Sequence, residues 1–202
     1  MCAVPEGNAY TAALFRTYQN PMMPTEAYDG CPIWQACRAT SAATTFFDPV
    51  TIGPLNQTFV DGAVAYNNPV QLVYREAQQL WPDRMKDALL VTIGTGAAPG
   101  PSLDGNLWKM IETMKKIVTE TEKTNNDFFH DHSDMLDADR LYRFNVLHRL
   151  SDIGLEEYKE IRKVAEATQS YLNDGELRSK YRRCLAEIQM TLEGEVLCLR
   201  NH

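Results

Sequence analysis

The sequence predicts an α/β fold, layered with a sheet between helices. Three observations carry this. Compact apolar runs of strand length alternate along the chain with longer segments of helical periodicity. The composition is that of a globular domain, 44% hydrophobic and 23% charged over 202 residues, enough chain for one sizeable core. Turn residues punctuate the first hundred positions, and neither a repeat nor a low-complexity tract interrupts them.

The elements follow in order. Residues Met1 to Val4 read as the tail of a strand. Ala36, Arg38, Ala39, Thr40, Ser41, Ala42 and Ala43 form a helix whose small side chains permit close packing on a sheet. Thr58 to Val60 is a short strand ending at Asp61. Asn68 caps a helix that opens on Pro69. Val70, Val73, Tyr74, Ala77 and Trp81 give that helix one apolar stripe. Ala88 to Gly94 is a continuous apolar run, expected as a strand buried on both faces. A helix over Leu107 to Val118 presents Leu107, Ile111, Met114 and Val118 on one side. Thr119 to Asp139 is polar, part helix and part loop.

Leu141 to Val146 alternates well enough for a strand near a sheet edge. Leu155 to Leu172 is a helix with Glu156 and Glu157 in its first turn, where they favour the dipole. Its predicted buried face is Tyr158, Ile161, Ala165, Thr168 and Leu172. A last helix runs from near Glu176 to about Leu192.

Composition narrows the function. The net charge of −7 argues against a nucleic-acid partner, which calls for a basic face. It gives no pull toward anionic lipid, so membrane-surface contact is expected to be transient, local and apolar. There is no run of about 18 apolar residues, hence no expected transmembrane segment. The N-terminus lacks the pattern of a secretory signal. Five cysteines, Cys2, Cys31, Cys37, Cys184 and Cys198, form no CxxC pair. They point to a reduced, cytoplasmic protein with free buried thiols.

The segment Phe59-Val-Asp-Gly-Ala-Val-Ala-Tyr-Asn-Asn-Pro-Val70 is the most informative. It sets a carboxylate, Asp61, at a strand tip before Gly62, which permits close backbone approach. Taken alone, Asp-Gly is usually a turn. Around it stand Ile33-Trp-Gln-Ala-Cys-Arg-Ala-Thr-Ser-Ala-Ala-Thr-Thr-Phe-Phe47, Leu14-Phe-Arg-Thr-Tyr18 and Leu90-Val-Thr-Ile-Gly-Thr-Gly96. Tyr142-Arg-Phe-Asn-Val146 and Asp152-Ile-Gly-Leu-Glu-Glu-Tyr158 follow. This ordered series resembles the patatin-like phospholipase family, with the later segments similar to fungal members, over roughly residues 1 to 172.

The resemblance implies a lipid acyl hydrolase using a Ser-Asp dyad on phospholipid or acylglycerol, with neither metal nor organic cofactor. Asp61, in the motif Asp61-Gly62-Ala63, would be the proton acceptor. A serine hydroxyl is a weak nucleophile and needs such a base. Phe59, Val60, Ala63 and Val64 would partly desolvate the carboxylate.

Two family elements are missing: the Gly-x-Ser-x-Gly elbow that exposes the nucleophile, and the Gly-rich loop whose backbone donors stabilise the oxyanion. The family carries both upstream of the matched region. The chain is therefore expected to be truncated at its N-terminus. Residues 1–150 would be the C-terminal portion of the phospholipase domain, and 151–202 a helical extension. An inactive remnant that binds lipid or protein, or a gene fragment without an independent fold, are the alternative readings.

Other features have plainer explanations. Ser41 lacks elbow glycines and belongs to a packed helix. His130-Asp-His-Ser-Asp134 reads as a solvated polar loop rather than a metal site. Gly94-Thr95-Gly96 lacks the Lys-Ser/Thr of a P-loop and reads as a strand end.

Overall fold

The computed structural model describes residues 1–8, 10–23, 30–43, 46–96, 120–146, 150, 153 and 157–200, with side chains to 191. It is mixed α/β, as the sequence predicts. It divides into two compact units: Met1–Asp83 with Thr119–Asn125, and Arg84–Val118 with Asn126–His202.

The first unit is built on a four-stranded sheet. Its strands are β1 (Cys2–Pro5), β2 (Ala13–Leu14), β3 (Val50–Ile52) and β4 (Gln57–Asp61), in the order β2-β1-β4-β3. Every neighbouring pair is antiparallel. The strand expected at 1–4 lies in the interior of this sheet. The strand expected at 58–60 is β4. Strand β3 escaped the sequence reading although its signal is present. Val50-Thr-Ile52 and Thr58-Phe-Val60 flank Gly53-Pro-Leu-Asn56, a turn composition. Gly53 at φ 77° and Asn56 at φ 50° take the left-handed backbone that a tight hairpin needs.

Helix α1 (Ile33–Thr40) covers one face of the sheet. Its apolar contacts are small: Ala36 and Ala39 are buried against Ala3, Ile52 and Phe59. Phe15 meets Phe59 edge-on, ring centroids 5.5 Å apart. Each such buried ring contributes roughly 2–3 kcal/mol. A helix faced with alanine can approach a sheet closely, as the sequence predicts.

Beyond Asp61 come α2 (Ala63–Tyr66) and α3 (Val70–Leu80). Helix α3 begins one residue later than expected, but Asn68 still caps it: its Oδ1 accepts the Val70 N–H at 3.3 Å. The predicted apolar stripe is only partly buried. Val70 is inside, while Val73 and Trp81 are exposed. The other buried residue of α3 is Glu76. Glu76 takes the inward position because Arg16, Tyr18 and Asn20 satisfy its carboxylate there.

In the second unit β5 (Leu90–Ile93) and β6 (Leu141–Phe144) pair in parallel, Leu90 opposite Leu141 and Ile93 opposite Phe144. Among the described residues β6 lies at a sheet edge as expected, but the alternation expected of it and the two-sided burial expected of β5 are not found. β5 alternates, with Ile93 80% exposed, so it is not buried on both faces among the described residues. β6 buries Leu141, Tyr142 and Arg143 in succession. Two helices cover β6: α5 (Ser133–Asp137) packs on it, and Tyr181 of α7 (Gly175–Arg200) meets the Phe144 ring edge-on.

Residues 120–131 are helical and form α4. The stretch 130–134, expected as a polar loop, is thus the end of α4 and the start of α5. Its charged residues occupy exposed helical positions. The helix expected over 107–118 lies outside the described residues.

Helix α6 (Ile161–Leu172), preceded by a short 3-10 turn over Tyr158–Glu160, confirms the described part of its prediction and corrects its face. Tyr158 and Ile161 are 78% and 71% exposed, and Ala165 and Leu172 are exposed too, with Thr168 half-buried. Ala167 is the buried residue. Tyr171, half-buried, accepts the backbone N–H of Asn145 on its hydroxyl at 3.0 Å. That polar tether, together with Ala167, sets which side of α6 turns inward. Of the four described cysteines, all free, Cys184 alone is buried; Cys37 is exposed.

Candidate active site around Asp61

Strand alternation determines where Asp61 points. In the β1–β4 register Ala3 faces Asp61 and Pro5 faces Phe59, so these four share a face of the sheet. That is the face on which α1 packs. Asp61 is half-buried at its edge.

Four hydrogen bonds fix the residue and its turn. The Asp61 N–H donates to the Ala42 carbonyl at 3.0 Å, tying the strand end to the segment after α1. The Ala63 N–H donates to Asp61 Oδ1 at 2.7 Å. The Gly62 carbonyl then accepts the N–H groups of Ala65 at 3.2 Å and Tyr66 at 2.7 Å, opening α2. One carboxylate oxygen is therefore held by backbone, an arrangement typical of Asp beside a turn. Among the described residues no hydrogen bond engages Oδ2.

Gly62 has a steric role. Its φ is −59°, open to any residue. A Cβ there would stand 2.4 Å from the Cys2 carbonyl oxygen and 3.5 Å from its Sγ. The expectation that glycine permits close backbone approach is met, and the approaching chain is β1.

Two nucleophile candidates adjoin the site. Ser41 is exposed at the end of α1, and its Oγ donates to the Cys37 carbonyl at 2.9 Å. Its proton is committed to the helix end, which suits a C-terminal capping hydroxyl. Cys2 is half-buried. Burial pushes its thiol above the ordinary value; the N-terminal amine opposes this, and the charge of Asp61 adds to it. A thiol held protonated is a weak nucleophile.

Beyond Asp61 the chain is tied at two more points. Tyr66 Oη donates to the Tyr10 carbonyl at 2.9 Å. Asn67 Nδ2 donates to Thr121 Oγ1 at 2.6 Å. Thr121 had no sequence signal, since nothing local marks a hydroxyl whose partner lies 54 positions away.

The other motif residues serve elsewhere. Arg38 stacks over Phe47 and donates to the Asp48 carbonyl. Arg16 and Tyr18 bind Glu76. In the second unit the Gly96 N–H donates to Asn145 Oδ1 at 2.9 Å, and a Cβ at Gly94 would lie 2.3 Å from the same atom. Gly94-Thr95-Gly96 thus wraps the Asn145 side chain. Among the described residues no group of three or more His, Cys, Asp and Glu is placed to hold a metal ion. No described helix is long and apolar enough to cross a membrane.

Residues 5–74 match the family model for patatin-like phospholipases. The chain is similar to "Phospholipase A I" of Arabidopsis thaliana, 38% identical over 86 residues, which is 43% of this chain and 6% of that protein. It is also similar to "Calcium-independent phospholipase A2-gamma" of Oryctolagus cuniculus and of Homo sapiens. Each is 29% identical over 145 residues, 70% of this chain and 18% of the relative. The chain thus spans less than a fifth of the length of these relatives. No solved structure matches significantly.

Proposed function

We propose that this chain, whose residues 5–74 match the family model for patatin-like phospholipases, is the aspartate-bearing portion of a lipid acyl hydrolase and that Asp61 is its proton acceptor. The observation that carries the reading is the state of the Asp61 carboxylate. Oδ1 is held by the Ala63 N–H, and no described residue hydrogen-bonds to Oδ2. A base needs that combination of one fixed and one available oxygen.

The chemistry follows. A serine hydroxyl, supplied by a Gly-x-Ser-x-Gly turn in the complete site, gives its proton to Asp61 Oδ2 as its oxygen attacks the ester carbonyl of a phospholipid or acylglycerol. The tetrahedral intermediate collapses, the alcohol departs with the proton, and the acyl group stays on serine. Water then repeats the exchange, with Asp61 taking its proton, and releases a fatty acid. Residues 1–150 form the C-terminal portion of the catalytic domain in this reading, and 151–202 a helical extension.

The relatives' names support phospholipid as the substrate class. The test is turnover of a short-chain nitrophenyl ester, with and without a polypeptide carrying the family's Gly-x-Ser-x-Gly segment. The chain alone is expected to be inactive. The combined site should turn over, and Asp61→Asn should remove at least about a hundredfold of the rate, the usual scale for a general base. Turnover indifferent to Asp61→Asn would overturn the assignment.

A further inference from the structure

Helix α2 is poorly equipped to hold its own position. It has four residues, no buried side chain and no side-chain cap. A helix that short is not stable by itself. Yet its first N–H, from Ala63, is the group that fixes Asp61 Oδ1. Whatever holds α2 therefore sets the direction of the Asp61 carboxylate.

The far end of α2 is held by two long-range bonds. One is Tyr66 Oη to the Tyr10 carbonyl. The other is Asn67 Nδ2 to Thr121 Oγ1, at 2.6 Å the shorter of the two. Thr121 is buried, only 8% exposed, and Asn67 is half-buried, so this bond is partly shielded from water. Asn68, the next residue, spends its Oδ1 on the first N–H of α3 and makes no second anchor for α2.

We propose that Thr121 is a positioning residue for Asp61, acting through Asn67 and α2. This rests on reading Asp61 as the proton acceptor. Thr121 does not touch the reacting atoms. Its hydroxyl stops α2 from tilting, and so keeps the Ala63 N–H in line with Oδ1. Removing the hydroxyl leaves Asn67 Nδ2 without that acceptor, with the Tyr66 bond and the packing of α2 on β1 still in place.

The test uses the full chain and reads the Ala63 amide by NMR, through its proton shift and its hydrogen exchange. Thr121→Val keeps the side-chain shape and loses the oxygen. It should speed Ala63 exchange by about fivefold to tenfold, the scale of one hydrogen bond, and shift the amide proton. Thr121→Ser should restore protection to within about twofold. Tyr66→Phe, which releases the second anchor, should also loosen Ala63 and covers the case in which Thr121→Val fails to fold.

A Thr121→Val chain that changes exchange within residues 120–125 but leaves Ala63 untouched would overturn the proposal. So would failure of Thr121→Ser to restore Ala63. The base assignment is judged separately by Asp61→Asn turnover. A loosened Ala63 with Asp61-independent turnover would keep the tether and sink the base reading.

Discussion

Arg16 grips Glu76 with two arms of its guanidinium fork: Nε donates to Oε2 at 2.6 Å and Nη2 to Oε1 at 2.7 Å, across 60 positions of sequence. Tyr18 Oη and Asn20 Nδ2 add bonds at 3.1 Å each, so Glu76 receives four in all. Such bidentate pairs are the strong class of charge-assisted hydrogen bonds. Both side chains are buried. Glu76→Ala should therefore cost about 3–5 kcal/mol, because it strands the Arg16 charge. The double change Arg16→Met with Glu76→Leu should recover much of that loss. Denaturant unfolding of the three chains checks it, and a double variant no better than Glu76→Ala would refute it.

The same cluster sets an acid limit. The Arg16 hydrogen bonds, foremost, with Tyr18 and Asn20 assisting, hold the Glu76 carboxyl below its ordinary value of 4.5. A carboxyl depressed in the folded state contributes stability that is fully present above its unfolded value. That contribution is lost as pH falls through the folded value. The wild type should accordingly lose stability from Glu76 below about pH 4.5, and Glu76→Gln should lose less over that window. Unfolding midpoints between pH 7 and pH 2 measure the difference. Parallel curves for the two chains would contradict the expectation.

Gly62 and Gly94 should respond differently to alanine. At Gly62 the new methyl meets the Cys2 backbone oxygen at 2.4 Å, inside a central strand pair that has little room to give. Overpacking of this kind costs roughly 1–3 kcal/mol. At Gly94 the obstacle is the Asn145 side chain. Gly94→Ala should therefore be relieved by Asn145→Ala, with a favourable coupling in the double variant. No substitution at the Cys2 side chain should relieve Gly62→Ala. Thermal melts of the single and double variants decide both points.

Ile161→Ala on α6 should change stability by less than about 0.5 kcal/mol, the range of ordinary surface substitutions. Its helical spacing with Ala165, Thr168 and Leu172 suggests a core position, but it is 71% exposed. Ala167→Leu, at the buried position, should destabilise. A loss of 2 kcal/mol or more at Ile161, the scale of a buried Ile, would show that the periodic face is the packed one after all.

Legibility tracked the range of the interaction. Asp61, Gly62 and the Asn68 cap are set by neighbours within a few residues, and the sequence displays them. The alanine face of α1 was equally plain, because small residues at helical spacing have few other uses. The inward face of α3 was not, since its buried residue is an acid whose partners lie near residues 16–20. Thr121 was invisible for the same reason: an Asn-Thr bond carries no periodicity. The burials of β5 and β6 differ from expectation because apolar content reports what a strand tolerates, whereas a helix packed on it, as α5 is on β6, decides which strand is covered. The hairpin between β3 and β4 was a signal present and unread: the Gly-Pro-Leu-Asn turn stands between two β-branched runs.

The contact between Gly62 and the Cys2 carbonyl gives the N-terminal strand a consequence for function. β1 is an interior member of its sheet, and its backbone forms the floor beneath the Asp61 turn. The proposed base thus depends on the seating of β1. Until β1 docks in register, with Ala3 against Asp61, the turn has nothing to close on. A slip of β1 by one residue would lift the floor and disarm the carboxylate without altering a single atom of Asp61.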